Sequence, residues 1–273
     1  MMELGLAQYD AEQFLILYAG LIVLGWLLAL IVPVILRPVG EPGVPQDAGQ
    51  YAALAGGKSR YAEAVMADLL ASGRLELEGK TFHVRDRQAA TGGAETRLMS
   101  LGDRFGWKSF SRAIEDGYRM DRDALTEAGL LTGSGQALGV RLIAVIPMAL
   151  ILLLGLYRFR AGSALDEPVG ILAVLIALGV VVVAWRLLVG IRRTREGERA
   201  LRDARQEHVR LKRAPTQPEM GLGVAIFGTA VLAGTPYDPL HAMRHGSGGA
   251  DGSYAGDGGG SGCGGGGCGG CGG

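Results

Sequence analysis

Three long stretches of the chain carry almost no charged residues, and each is long enough, or nearly long enough, to cross a membrane. Residues 14–36 form an uncharged run of 23, which as a helix spans roughly 34 Å against the ~30 Å hydrocarbon core of a bilayer. Two further runs, 142–157 and 168–191, are separated by ten residues, and only Arg186 interrupts the second. The pattern therefore predicts an α-helical integral membrane protein with about three transmembrane helices, the last two forming a hairpin.

The basic residues near the ends of these runs predict an orientation. Residues 186–213 contain ten basic and four acidic side chains, and the positive-inside rule places such a segment in the cytoplasm. Counting back through the hairpin puts residues 37–140 in the cytoplasm and residues 1–13 outside. The first run is expected to be a retained anchor, because the residues before it are acidic rather than basic. We therefore expect a multi-pass protein of the cell inner membrane.

The basic segment 192–213 is predicted to be a juxtamembrane helix, and two roles for it stay open. It could hold anionic lipid headgroups, at about 1 kcal/mol for each well-placed base. Alternatively, it is a solvated helix that continues the third span and serves only as a topology signal. The candidate lipid-interface residues are Arg192, Arg193, Arg195 and Arg199.

A fourth uncharged run covers residues 220–235, and its four glycines weaken its apolar character. It would reach roughly 24 Å as a helix, so it could cross the bilayer, lie in the interface or pack against the hairpin. We expect an interfacial segment or a fourth span, with crossing slightly disfavoured. If the run crosses, the C-terminal tail lies outside the cell.

Between the first two spans, a Pro/Gly linker (37–48) leads into a polar domain at 49–131. Apolar residues at helical spacing predict helices, and alternation on both sides of Gly79-Lys80 predicts a β-hairpin. A last short helix is expected over 125–131. The order helix, helix, hairpin, helix predicts a small α/β domain that is winged-helix-like.

The charge balance of that domain argues against a nucleic-acid partner. The whole chain has 27 basic and 27 acidic residues, and residues 49–131 have twelve of each. DNA affinity depends mainly on neutralising phosphates, so we expect a protein partner rather than nucleic acid. Gly57-Lys58-Ser59 is not a phosphate loop, because Ala52 occupies the position of its first glycine.

The only residues that suggest a chemical function lie in the C-terminal tail. In this tail, 17 of residues 246–273 are glycine. This tail holds every cysteine of the chain, spaced C-x4-C-x2-C, and is predicted to be disordered with reactive thiols. Two histidines upstream could complete a tetrahedral zinc or copper site with them. The candidate metal ligands are Cys263, Cys268, Cys271, His241 and His245. No catalytic residues and no cofactor are expected.

Three features together resemble an uncharacterised family of bacterial membrane proteins, the near-uncomplexed domain family. They are the Leu-x-Gly-Gly turn at 54–57, the segment 221–240 and the Gly/Cys-rich tail. The resemblance implies a membrane protein with a low-complexity C-terminus and implies no activity.

Taken together, the sequence predicts a non-enzymatic interaction or scaffold protein. Its expected partners are the lipid bilayer, a protein at the cytoplasmic domain, and a soft metal ion or thiol partner at the tail. A metal- or redox-responsive membrane protein that uses the cysteine tail is the first alternative. A membrane-tethered transcription regulator is the second.

Overall fold

A computed structural model describes residues 11–86, 101–164, 170–188 and 192–246. Most of the predicted N-terminal segment and the predicted disordered tail from residue 247 onward lie outside these residues. The same holds for Cys263, Cys268 and Cys271, and for the side chain of His245.

Three helices in the described residues are long and apolar enough to cross a membrane, in agreement with the three predicted spans. They are α1 (Ala11–Ile35), α5 (Ser134–Ala164) and α6 (Gly170–Leu188). Helix α5 extends well beyond the predicted 142–157, because helical backbone bonding continues through the polar residues at both ends of the apolar run. Large apolar side chains such as Ile16, Leu153 and Val174 are exposed on these helices, as lipid contact requires.

The three helices pack through small residues and a buried aromatic pair. Tyr18 is fully buried, and Phe14 stacks on it with ring centroids 5.8 Å apart. Gly155 of α5 faces the Tyr18 ring so closely that a side chain there would overlap the hydroxyl oxygen. Glycine at such a contact lets membrane helices approach each other.

A folded domain lies at one end of the bundle. Its first part contains α2 (Ala48–Ala71), α3 (Trp107–Ala113) and α4 (Glu115–Glu127). The predicted hairpin is present as β1 (Leu75–Glu78) and β2 (Thr81–Val84), and a third strand that was not predicted, β3 (Arg104–Gly106), joins it in the order β1-β2-β3. The last helix expected over 125–131 is wrong, because α4 ends at Glu127 and Leu131 forms a β-bridge with Arg193.

The expectation that residues 220–235 are interfacial or a fourth span is wrong. Helix α8 (Met220–Phe227) has eight residues and lies along α2 inside the domain, with Val224 and Ala225 fully buried. Gly221 approaches Asp68 so closely that a Cβ there would lie 3.0 Å from the Asp68 Cβ. The apolar run therefore completes the core of the domain, and Gly221 permits close packing of α8 against α2.

The basic helix predicted over 192–213 is shorter in the structure. Residues 192–194 are not helical, and α7 (Arg195–Glu207) begins after them. One side of α7, including Leu201 and Ala204, is buried in the same core as α2 and α8. Helix α9 (Asp238–Gly246) follows, and Leu240 is fully buried. One hydrophobic core is thus built from chain segments before and after the membrane hairpin.

Candidate functional site at the junction of the membrane helices and the domain

The three chain segments that connect the membrane helices to the domain are tied to one another by backbone hydrogen bonds. We call this region, residues 37–40, 129–132 and 192–198, the junction. The amide of Thr132 donates to the Arg192 carbonyl at 2.8 Å, and the Thr194 amide donates to the Leu130 carbonyl at 3.2 Å. The Arg195 amide donates to the Pro38 carbonyl at 2.9 Å. The exits of α1 and α6 and the approach to α5 therefore form one backbone network.

Two glycines allow these segments to approach closely. Gly40 has a φ of 78°, and a side chain there would overlap the Gly129 carbonyl and the Thr194 side chain. Gly129 has a φ of 70°, and its Cβ would lie 2.7 Å from the Glu41 amide nitrogen. Positive φ is the conformation that favours glycine, so both positions depend on the missing side chain.

Arg193 connects the junction to a break in α2. Gly57 has φ 65° and ψ −151°, which interrupts the helix and frees the carbonyls of the turn before it. The Arg193 Nε donates to the Leu54 carbonyl at 2.7 Å, and Nη2 donates to the Ala55 carbonyl. The guanidinium thus satisfies the acceptors that the break exposes.

The remaining donor of Arg193 holds a carboxylate. Its Nη1 donates to Glu198 Oε2 at 3.1 Å, and Arg37 Nη1 lies 4.0 Å from the same oxygen. The Glu198 side chain is only 12% exposed, so the two arginines compensate a largely buried charge. Because Arg37 follows α1 and Arg193 follows α6, this carboxylate joins two membrane exits.

Thr194 begins helix α7 at this place. Its Oγ1 accepts a hydrogen bond from the Gly197 amide at 3.1 Å and donates toward the carbonyls of Gly129 and Leu130. The residue therefore caps the helix, as threonine commonly does, and binds the segment before α5. A threonine followed by acidic residues at 196 and 198 is a helix-start signal that the sequence reasoning missed.

The four arginines predicted at the lipid interface occupy different environments. The guanidinium of Arg193 binds within the domain, so the lipid contact predicted for it is replaced by internal contacts. Arg195 donates to the carbonyl of Ile35, the last residue of α1, at 2.9 Å. Arg199 pairs with Glu196 on the exposed side of α7, and Arg192 lies near Gly57.

Arg60 and Arg205 lie on the domain side of the same region. Burial lowers the pKa of Arg60, and the charges of Arg205, Arg193 and Arg244 lower it further, while Glu63 opposes the shift. Arg60 Nη1 donates to the Val224 carbonyl at 3.3 Å. This bond connects α2 to α8 next to Gly228, whose φ is 93°.

A second polar group joins the start of α2 to α4. Tyr61 donates a hydrogen bond to Asp121, and Asp47, the N-cap of α2, accepts from the Gln50 amide at 2.8 Å. Burial, together with the charge of Asp47, raises the pKa of Asp121 to about 6, and the bond from Tyr61 opposes the rise. Burial and the Asp121 charge also raise the pKa of Tyr61.

A groove of about 300 Å³ lies at the far end of α2 from the junction. The edge of β1 that faces away from β2 and the turn before α9 form its sides. It is lined by Leu70, Leu75, Glu76, Leu77, Pro236, Tyr237 and Pro239.

The predicted metal ligands are only partly within the described chain. His241 places Nδ1 3.1 Å from Thr229 Oγ1. Within the ranges that the structure covers, no cluster of three or more His, Cys, Asp or Glu side chains could hold a metal ion. The metal site therefore stays a prediction about the tail.

Comparison with known proteins adds no relative: no protein-family model, no curated protein and no solved structure matches the chain. The resemblance to the near-uncomplexed domain family therefore stays a prediction, and the junction is interpreted on its own geometry.

Proposed function

We propose that the protein is a non-enzymatic membrane scaffold that holds a folded domain in a fixed position at the membrane surface for a protein partner. The junction supports this proposal, because three connecting segments, rather than one flexible linker, attach the domain to the bundle. Arg193 and Glu198 reinforce the attachment with side-chain contacts. A domain held in this way presents its surface at a defined distance and orientation.

The groove is the surface that we propose for the partner. Within the ranges that the structure describes, strand β1 has a neighbour on one side only, so we propose that the backbone groups of its outer edge accept an extended peptide. From the break at Gly57, α2 continues for fourteen residues to Ala71, which places the groove roughly 20 Å of helix away from the junction.

Site-specific photo-crosslinking in native membranes tests the docking proposal. A photoreactive amino acid at Glu76, which lines the groove, should give a discrete protein adduct. The same amino acid at Arg119, an exposed residue of α4, is the matched control and should give none. Equal adducts from both positions, or none from Glu76, would contradict the proposal.

We also propose that the domain is cytoplasmic. The basic residues of 186–213 support this orientation, and the position of α8 in the domain puts the start of the tail on the domain side. A membrane-impermeant maleimide should therefore label the tail cysteines only after the cells are permeabilised. In a background with these cysteines replaced by serine, Arg160→Cys, at the opposite end of α5, should react in intact cells. Labelling of the tail before permeabilisation would contradict this orientation.

A further inference from the structure

One face of α7 carries a row of exposed arginines. Arg195, Arg199 and Arg202 follow one another along the helix, and all three are exposed. At 3.6 residues per turn, they lie within roughly 60° of one another around the helix axis. Leu201 and Ala204, on the opposite side, are buried in the domain core. The row, which we call the arginine face, therefore points away from the domain.

The arginine face begins at the end of a membrane helix. Arg195 Nη2 donates to the carbonyl of Ile35 at 2.9 Å, and Ile35 ends the stretch of α1 that is apolar enough to span a membrane. A cation at the C-terminal carbonyls of a helix also interacts favourably with the helix dipole. This bond holds the first arginine where α1 leaves its apolar stretch. Arg199 and Arg202 follow roughly 6 and 11 Å further along α7.

The acidic residues of α7 do not cancel the charge of this face. Glu196 pairs with Arg199, but the arginine side chain is 62% exposed and the glutamate side chain 14%. Glu198 is 12% exposed and binds within the domain. Asp203 adds an exposed negative charge at the margin of the row. An anion outside the protein therefore meets three accessible guanidinium groups and one accessible carboxylate there.

The position of the arginine face indicates a bilayer surface as its partner. Attraction between charges extends over about 8 Å at physiological ionic strength, a distance similar to the length of the row. The carbonyl of Val39 accepts from the Glu196 amide at 3.0 Å, and the Val39 side chain is 59% exposed beside the start of the row. A bilayer surface offers phosphate groups next to an apolar layer, and the arginine fork matches phosphate oxygens.

We propose that the arginine face of α7 lies on the leaflet from which α1 emerges and binds the phosphate groups of anionic phospholipids there. The sequence predicts lipid contact for Arg195 and Arg199, and the exposed row adds Arg202. Arg193 does not belong to this surface, because its guanidinium binds the break in α2. The contact is independent of the proposed scaffold function, since it forms with or without a protein partner at the groove.

A fluorescent label on α7 tests this contact in the full chain reconstituted into lipid nanodiscs. After the three tail cysteines are replaced by serine, Gln206→Cys carries an uncharged dye that reports the polarity of its surroundings. Gln206 is exposed and lies one turn beyond Arg202 on the same face. The emission should shift to the blue in nanodiscs that contain phosphatidylglycerol and should not shift in phosphatidylcholine alone. The same dye at Met120→Cys, on the exposed side of α4, is the control and should not respond.

Substitutions in the row should weaken this response. Arg199→Gln and Arg202→Gln should each raise the phosphatidylglycerol fraction that gives half of the shift by about five-fold, the effect of one well-placed base. Arg119→Gln, which removes an exposed arginine of α4, is the matched control and should leave the fraction unchanged. Raising the salt concentration from about 50 to 500 mM should reverse the shift of the wild type.

Several results would overturn the proposal. Equal emission in the two lipids, or a shift that neither glutamine variant weakens, would remove the lipid contact. An equal shift produced by inorganic phosphate in phosphatidylcholine nanodiscs would show that the row binds free anions and not the membrane. Asp203→Asn gives a test in the other direction, because it removes the acid at the margin and should lower the fraction needed for half of the shift. A higher fraction in that variant would contradict the proposal.

Discussion

The guanidinium of Arg193 donates to the carbonyl oxygen of Leu54 at 2.7 Å, although the two residues are 139 positions apart. In sequence, the membrane hairpin of α5 and α6 lies between these two residues. In the structure, the bond connects the end of α6 to the interrupted helix α2. We therefore expect it to determine how firmly the domain is held.

Arg193→Ala should lower the free energy of unfolding of the domain by about 3 kcal/mol. The substitution leaves two helix-end carbonyls without their donor and removes one partner of the largely buried Glu198. Chemical denaturation in detergent can follow Trp107 in the domain after Trp26 and Trp185 are replaced by phenylalanine. The control is Arg199→Ala, because the Arg199 side chain is 62% exposed and its removal should change the value by less than about 1 kcal/mol. Equal effects of the two variants would contradict the role of Arg193.

Gly57→Ala should destabilise the domain by about 1–3 kcal/mol, because φ 65° with ψ −151° is a region that only glycine occupies readily. The added Cβ would also lie 2.6 Å from Arg192 Nη1. Gly135→Ala is the matched control, since Gly135 is helical and has open space around it, and it should be neutral or slightly stabilising. The same denaturation experiment measures both. A neutral Gly57→Ala would show that the break in α2 is not required.

Stability should decrease with pH through the Asp121 carboxyl. Its pKa is raised from 3.8 to about 6 in the folded protein, so the folded state binds this proton more tightly than the unfolded state does. The contribution is fully present below about pH 4 and is lost as pH rises through 6. Asp121→Asn keeps an acceptor for Tyr61 and removes the charge. Its stability relative to the wild type should therefore be higher at pH 7 than at pH 4.

Asp47→Asn provides the control for this pH dependence. Asparagine also caps helices well, but it removes the negative charge that raises the pKa of Asp121. The wild-type titration step should therefore move to lower pH in this variant. Parallel stability profiles of the wild type and Asp121→Asn between pH 4 and 7 would rule out Asp121 as the source.

Gly155→Ala should weaken packing of the membrane helices by about 1–3 kcal/mol, because the new methyl group would overlap the Tyr18 hydroxyl. Tyr18→Phe removes a buried hydroxyl that has no hydrogen-bond partner among the described residues, so it should be neutral or stabilising. Gly20→Ala in α1 has open space and is the matched control. Thermal unfolding in detergent compares the three variants. A Gly155→Ala protein as stable as Gly20→Ala would contradict the close contact.

The sequence was sufficient for features that depend on neighbouring residues. Three apolar runs predicted three membrane helices because a spanning helix satisfies its own backbone. Gly79-Lys80 between alternating segments predicted the hairpin. The strand at Arg104–Gly106 has only three residues, too few for alternation to be recognised.

The wrong predictions concern segments whose packing partners are distant in sequence. The apolar run at 220–235 suits a bilayer or a protein core equally well, and only its contact with α2, 153 residues away at Asp68 and Gly221, decides between them. The many arginines of residues 192–213 led to the prediction of a juxtamembrane helix. The buried side chains of Leu201 and Ala204 instead place α7 in the domain. Arg193 was predicted at the lipid interface, whereas its guanidinium binds the α2 break, a helix interruption that spacing alone does not reveal.

A disulfide between α2 and α8 tests the central claim, that chain segments before and after the hairpin form one domain. After Cys263, Cys268 and Cys271 are replaced by serine, Asp68→Cys with Gly221→Cys places two sulfurs on Cβ positions 3.0 Å apart. This is about 0.5 Å below the ~3.5–4.5 Å range of disulfides, so the two helices need to separate only slightly. Mild oxidation in native membranes should link the two peptides, as mass spectrometry can detect. Met120→Cys with Gly221→Cys is the control, because Met120 is 74% exposed on α4, and it should stay reduced. A bond in the first pair alone is the predicted result. No bond in the first pair, under conditions that oxidise free thiols, would contradict the shared core.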